Sequence, residues 1–338
     1  MQISFKLIYL ENMLKKISFT FKKVCLVSFF IFLTTYSYFC LKYKNTTNVL
    51  KKQSNVPFIF VGGSYRSGTT LMRVMLDSHP QIRCGQETRI LPRFLDFIER
   101  QLYIDLPKFE HAGISRETIN EASSEFISRI IFLQGKNSSY ICTKDPEDLK
   151  HIDYLTELFP KSKFILMIRD ARATVHSIIK NELTVARYSK NYTHSFIIWN
   201  NLVTKMYVQC IRVGSSHCLP VYYEQLILHP EREMRKILKF LNVHWNESVL
   251  SHEKFIGNKI LTSEHEISTD QVINPINLQG LNSWVGNVPE DVLNKIDELA
   301  PLLRRLGYDT KANPPNYLKF YENKTVSRDK ILSIKRSV

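Results

Sequence analysis

The sequence predicts an α/β protein, a mostly parallel sheet flanked by helices, lying behind a transmembrane helix near the amino terminus. Three observations predict it. Uncharged apolar runs at 58–61, 164–168 and 219–223 have the length of buried strands, the last weakened by Pro220. Between and after them, apolar residues recur three and four apart, as amphipathic helices require; Ile119, Ala122, Phe126, Ile130 and Leu133 form one such stripe. Strands alternating with helices give a parallel sheet covered on both faces. Finally, in PFIFVGGSYRSGTTLMRVMLDSHP (57–80) a strand-like run breaks at two glycines and resumes as a helical pattern.

The elements follow in order. Residues 1–23 are a lysine-rich cytosolic tail, and 24–41, VCLVSFFIFLTTYSYFCL, hold no charge. That run approaches the minimum for a membrane span. Lys15, Lys16, Lys22 and Lys23 precede it, which favours a cytosolic amino terminus and a single-pass type II signal anchor. The run is long for a cleaved signal peptide, and no clean small-residue cleavage site follows. A short span containing Thr, Ser and Tyr suits a thin, early secretory membrane. Residues 42–56 are a polar stem. The lumenal domain occupies 57–318, with helices expected at 69–78, 88–103, 117–133, 147–158, 172–182, 193–213, 230–241 and 289–306 and long loops over 251–290. Residues 319–338 read as a solvated, disordered basic tail.

The formal charge of +14 sits at the ends: +8 in 1–56 and +4 in 319–338, leaving +2 over 57–318. A basic groove for nucleic acid is therefore not indicated. Of six cysteines, Cys25 and Cys40 belong to the span. Cys84, Cys142, Cys210 and Cys218 permit two disulfides in an oxidising compartment, in any of three pairings; Cys210 and Cys218 could close a small loop around Gly214. Glycosylation sequons stand at Asn45, Asn137, Asn191, Asn246 and Asn323, in keeping with a lumenal domain. No Cys/His cluster has zinc-ligand spacing.

Strand, glycine-rich loop and helix start is how backbone N–H groups gather around a phosphate. Gly63 and Gly68 have Walker A spacing, yet Thr69 stands where a nucleoside triphosphatase carries the lysine for the β- and γ-phosphates. With Arg66 inside the loop, this points to a donor with a lone 5′-phosphate group and away from a kinase. In parallel sheets ligands sit at the carboxyl ends of strands, where this loop and the Arg169-Asp170 corner both fall.

The loop GGSYRSGTT resembles the 5′-phosphosulfate-binding loop of sulfotransferases. The continuation MRVMLDSHPQIRCGQETRILPR resembles tyrosylprotein sulfotransferases in particular. The resemblance runs in order from about 57 to 317, through WNNL, YYEQLILHPE, STDQVINP and ANPPNY. It implies a P-loop-like sulfotransferase fold and sulfuryl transfer from 3′-phosphoadenosine-5′-phosphosulfate to tyrosines in acidic segments of secretory-pathway proteins, without a metal. It implies Glu87 as base, and Lys144 and Ser268 at the leaving oxygen. The 5′-phosphate cradle would be Arg66, Ser67, Gly68, Thr69 and Thr70; Arg169 and Ser177 would hold the 3′-phosphate. Tyr223, Ser283 and a loop of Ser268, Thr269, Asp270, Gln271, Val272, Ile273, Asn274, Pro275, Ile276 and Asn277 would contact or cover the donor. Arg89 and Arg93, read as four apart on one helix face, would receive acidic flanks of the target tyrosine. The resemblance also favours the pairs Cys84–Cys142 and Cys210–Cys218, a homodimer and a Golgi membrane location.

Each residue has a plainer reading: a helix-start Glu, a solvated Lys or Arg face, an N-cap Ser, a core Tyr, a structural Arg172 ion pair. Departures from the family pattern leave Asn181, Asn274 and Ser283 neutral where basic groups are usual, and Gln86 where the family has a first Glu. They put donor affinity in doubt more than chemistry. Two alternatives follow: a carbohydrate sulfotransferase of the same fold, which the Gln-Glu-Thr-Arg string opposes, or a weakly active paralogue that binds acidic peptides.

Overall fold

The computed structural model describes residues 32–38, 57–134, 138–183, 187–263, 266 and 268–319. The chain divides into two units, Met1–Ser54 and Asn55–Val338. Of the first, residues 32–38 are helical and exposed. The expected cytosolic tail, stem, basic tail beyond 319 and the rest of the 24–41 span lie outside the described residues. Among the described residues no helix is long and apolar enough to cross a membrane.

The second unit is built on a five-stranded parallel sheet: β1 (Phe58–Gly63), β2 (Ile82–Cys84), β3 (Tyr140–Lys144), β4 (Lys163–Ile168) and β5 (Cys218–Tyr222), in the order β2-β3-β1-β4-β5. β1 is central, bonded to β3 on one side and β4 on the other. Every residue of β1 is buried, which is why the sequence reads there as an unbroken apolar run. Alternate side chains feed opposite cores. Phe58, Phe60, Phe164 and Leu166 enter one cluster; Ile59, Val61, Ile165 and Met167 enter the other. Truncating one of the buried phenylalanines costs about 3–5 kcal/mol.

The helices are α1 (Thr69–Ser78), α2 (Ile90–His111), α3 (Arg116–Gln134), α4 (Ile152–Leu158), α5 (Ala171–Lys180), α6 (Tyr192–Val213), α7 (Tyr223–Leu228) and α8 (Pro230–Leu241). α1 and α8 match the expected 69–78 and 230–241. Three departures have physical causes. The short strands β2 and β3 escape a search for apolar runs because they carry Arg83, Thr143 and Lys144. The stripe in α3 does lie on a helix, but the buried side chains are Ser123, Ile127, Ser128 and Ile131, leaving Phe126 and Leu133 exposed. The helix expected over 289–306 is three pieces, Glu290–Leu293, Ile296–Leu299 and Pro301–Arg305; Pro301 sets the second break, because it can start a helix but not continue one. The 251–290 region carries short turns at His252–Phe255, Thr269–Val272 and Gln279–Asn282.

Both disulfides expected from the resemblance are formed. Cys84–Cys142 joins β2 to β3 at paired positions, and Cys210–Cys218 joins α6 to β5. Arg172 makes a buried ion pair with Asp170 at 2.8 Å and bonds the carbonyls of Asp309 and Ala312, so it ties the carboxyl-terminal segment to the sheet.

Candidate active site

β1, β3 and β4 deliver their carboxyl ends to one cleft: Gly63 and the loop after it, Lys144, and Arg169. Gly63, at φ +152°, lies so close to β4 that a Cβ would sit 2.4 Å from the Met167 carbonyl oxygen. Gly68, at φ +95°, packs on Tyr223, where a Cβ would sit 2.5 Å from the ring. Only glycine fits at either place. Ser64 closes the turn by accepting from the Ser67 amide at 3.1 Å and from the Ser67 hydroxyl at 2.6 Å, so that hydroxyl serves the loop. α1 then starts with no side-chain cap. The N–H groups of Thr69, Thr70 and Leu71, ahead of the Met72 N–H that bonds the Gly68 carbonyl at 3.0 Å, have no acceptor within the helix, and its dipole favours an anion there.

Two guanidinium groups crowd this spot. Arg66, at φ +66°, donates to Ser177 Oγ at 2.9 Å and to Ser268 Oγ at 2.6 Å. Arg169 donates to the Arg66 carbonyl at 2.7 Å and the Gly280 carbonyl at 2.6 Å, and lies 4.5 Å over the Tyr223 ring. Its Nε is buried with no hydrogen-bond partner among the described residues. Burial, then the charge of Arg169, push Arg66 down to about 10. Two cations that destabilise each other, one with an unused donor, fit an anionic ligand.

They line a cavity of about 280 Å³. Of the expected donor residues, Arg66, Gly68, Thr70, Arg169, Ser177, Tyr223, Ser268, Gln271, Val272, Asn274, Pro275, Ile276, Asn277 and Ser283 line it. Ser67, Thr69, Thr269, Asp270 and Ile273 do not; Thr69 is buried, and Thr269 donates to the Ser263 carbonyl at 2.7 Å. Sequence reading passed over Leu71, His176, Ile227, Gln279 and Gly280 on the same wall. It noted Lys180 only as the neighbour of Asn181. Both line the cavity, but Asn181 Nδ2 turns back to the Ser177 carbonyl at 2.6 Å, leaving Lys180 as the cation on that stretch of wall.

Glu87 and Lys144 are not among the residues that line that cavity; they meet each other at the tip of β3. The disulfide lies just before both, fixing the loop after β2 beside the tip of β3. Asp145 adds a second fixture: its carboxylate accepts the amides of Thr88 at 3.2 Å and Arg89 at 3.0 Å. Burial and the charge of Glu87 push Asp145 up to about 7, against the pull of Lys144 and those amides. Lys144 is fully buried and meets Glu87 Oε2 at 2.9 Å and Glu266 Oε1 at 3.2 Å. Arg89 Nε meets Glu87 Oε1 at 3.0 Å. Arg89 is not on a helix face: it precedes α2 at φ +58°, while Arg93 is exposed on the first turn. The expected pairing of the two on one face is thus replaced by an Arg89 turned onto Glu87. Glu266 was missed entirely, since nothing in local spacing marks it; only its place two residues before Ser268 hinted at the cleft. Among the described residues no group of His, Cys, Asp and Glu is arranged to hold a metal ion.

Comparison with known proteins agrees with this geometry. Residues 57–247 match the model of the sulfotransferase family. Protein-tyrosine sulfotransferase 2 of Gallus gallus is 48% identical over 269 residues, covering 78% of this chain and 72% of that protein. Protein-tyrosine sulfotransferase A of Caenorhabditis elegans is 49% identical over 266 residues, covering 78% and 70%. Protein-tyrosine sulfotransferase 1 of Homo sapiens is 48% identical over 272 residues, covering 78% and 73%. Among solved structures, the sulfotransferase domain from the Synechococcus PCC 7002 olefin synthase shares the fold, with a TM-score of 0.51 at 21% identity, covering 73% of this chain and 94% of that one.

Proposed function

The chain belongs to the protein-tyrosine sulfotransferase family, and from that premise we propose that it transfers the sulfuryl group of 3′-phosphoadenosine-5′-phosphosulfate to tyrosyl hydroxyls in acidic segments of secretory-pathway proteins. The observation that carries this reading is the meeting of Glu87 and Lys144, 2.9 Å apart, beside a phosphate-type loop with two buried arginines. The donor supplies an activated sulfuryl group whose leaving group is a phosphate. α1's first turn with Arg66 receives its 5′-phosphate, and Arg169 with Ser177 its 3′-phosphate. Glu87 takes the phenolic proton as the tyrosyl oxygen bonds to sulfur. The bond from sulfur to the bridging oxygen breaks, its electron pair stays on the phosphate, and the Lys144 ammonium and Ser268 hydroxyl stabilise that charge. The products are tyrosine O-sulfate and 3′-phosphoadenosine-5′-phosphate.

In this reading the amino-terminal span anchors the enzyme as a type II protein of the Golgi membrane, with the second unit in the lumen. It acts as a homodimer, and the apolar side chains exposed on α2 and α3, among them Phe97, Tyr103 and Leu133, are surface for a second copy to cover. Sedimentation of the domain as a monomer at micromolar concentration would remove that part. The neutral Asn181, Asn274 and Ser283 on the cavity wall favour a second reading, a weak paralogue that binds acidic peptides.

One assay separates the readings. Labelled donor is offered with an acidic tyrosine peptide, its Asn/Gln counterpart and a free sugar acceptor, while calorimetry reads affinity for 3′-phosphoadenosine-5′-phosphate. Rapid turnover on the acidic peptide alone is expected. Binding of that peptide without turnover supports the paralogue, and transfer to the sugar supports a carbohydrate sulfotransferase.

A further inference from the structure

Glu266 is the best-connected side chain of the cleft that this mechanism does not use. Its carboxylate is buried and joins three segments distant in sequence. Oε2 meets Arg73 of α1 at 3.3 Å. Oε1 accepts from Lys144 Nζ at 3.2 Å and from the backbone N–H of Glu87 at 2.7 Å. Arg73 is itself buried and bonds the carbonyls of Cys84 at 3.4 Å and Leu261 at 2.5 Å. Burial, the largest single influence, would raise the Glu266 carboxyl, but Lys144, Arg73 and the Glu87 N–H together hold it below its ordinary value. The group is an anion.

We infer that Glu266 is a positioning residue for sulfuryl transfer, acting through Lys144 and Glu87. This rests on the reading above. A lone lysine facing Glu87 would close a tight two-membered pair, with the base neutralised and the ammonium held on it. A second carboxylate on the other flank of the ammonium holds Lys144 between two anions. Its charge is then kept in the cleft when Glu87 accepts a proton and ceases to be its partner. The same oxygen fixes the backbone that carries Glu87. Since Glu266 lies two residues before Ser268, whose hydroxyl accepts from Arg66 at 2.6 Å, one short stretch of chain links the base and cation to the donor side.

The test is a kinetic cycle on the full chain, with Lys144→Met, Glu266→Gln and the double variant. Glu266→Gln keeps an oxygen for the Glu87 amide and removes only the charge. A loss of about 10–100-fold in kcat is expected, with KM for the donor and affinity for 3′-phosphoadenosine-5′-phosphate within about twofold of wild type, as for a group felt at the transition state. In the Lys144→Met background the same change costs less than about threefold, because the group it acts through is gone. Losses that multiply, or a Glu266→Gln variant with full kcat and only a lowered melting temperature, would mean that the carboxylate merely partners Arg73. Should Glu266→Gln alone yield no folded protein, Arg73→Gln/Glu266→Gln, which removes both buried charges, takes its place in the cycle and is read by the same criteria. Loss of kcat on Lys144→Met but not on Glu266→Gln sinks this inference alone; full kcat in Lys144→Met sinks the functional reading.

Discussion

On the donor side of the cleft, Arg66 and Arg169 lie close enough for one to depress the pKa of the other, and Arg169 keeps an unused buried donor. On the acceptor side, Lys144, Arg73 and Arg89 each meet Glu87 or Glu266 within about 3.3 Å. The first half carries like charges pressed together, an arrangement that an anionic ligand completes. In the second every cation already has a carboxylate partner, so its chemistry requires a pair to open. The proposed function then makes binding and catalysis separable. Damage on the donor side should be read in affinity, and damage on the acceptor side in turnover.

The largest effect should come from Glu87→Gln. It keeps the shape of the side chain and removes the base, so kcat on an acidic peptide falls by roughly 10²–10⁴. Affinity for 3′-phosphoadenosine-5′-phosphate, measured by calorimetry, stays within about twofold. A large affinity loss in this variant would erase the distinction between the two sides.

Next in size are Arg169→Ala and Arg66→Ala. Each removes charge-assisted bonds worth about 1.5–3 kcal/mol, so affinity for the nucleotide product falls about 10–100-fold. At saturating donor, kcat should change far less. Equal affinity of the wild type for ATP would point back to a triphosphate site.

A smaller effect bears on substrate choice. Arg89 is partly exposed and paired with Glu87. On the proposed function, an acidic residue beside the target tyrosine would compete for that guanidinium and release Glu87. Arg89→Glu should lower the preference for an acidic over an Asn/Gln peptide by about two- to fivefold, the scale of an exposed ion pair. Raising salt should narrow the wild-type preference in the same sense. A preference untouched by both changes would remove Arg89 from recognition.

The smallest concerns pH. Asp145, under the acceptor side, and Glu224, under the donor side, are each pushed up to about 7, in both cases by burial first and a neighbouring carboxylate next. A carboxyl raised on folding holds its proton more tightly in the folded chain. Its stabilising contribution is complete below about pH 4 and is lost as pH rises through about 7. The melting temperature should therefore fall by several degrees between about pH 5 and 8. Asp145→Asn and Glu224→Gln should each flatten part of that slope, and a slope unchanged in both would show that neither carboxyl sets it.

Much of this was legible in the chain. The Phe58-to-Thr70 passage announced strand, phosphate loop and helix because glycine spacing and apolar runs are local signals. The Glu-Thr-Arg and Lys-Asp-Pro strings singled out Glu87 and Lys144 through resemblance, and the fold brings those two side chains to 2.9 Å. The disulfide pairs came the same way, since sequence alone left three pairings open. What stayed hidden depends on distant partners. β2 and β3 are strands because the sheet accepts them, not because three to five mixed residues demand it. The stripe read on α3 is only partly inward, with Ile119 and Ile130 packed against the core and Ala122, Phe126 and Leu133 exposed, and no periodicity says which side meets the sheet.

By itself the sequence determined the parallel α/β plan and the phosphate-type loop, because these follow from residue type and short spacing; the candidate base and cation came from resemblance. Only the tertiary structure decided which charges face one another. That Arg66 sits against Arg169, that Arg89 leaves its helix to meet Glu87, and that Glu266 stands behind Lys144 all depend on loops converging at the carboxyl edge of the sheet. Electrostatic energy varies with distance and burial, and neither is written in the order of residues along a chain.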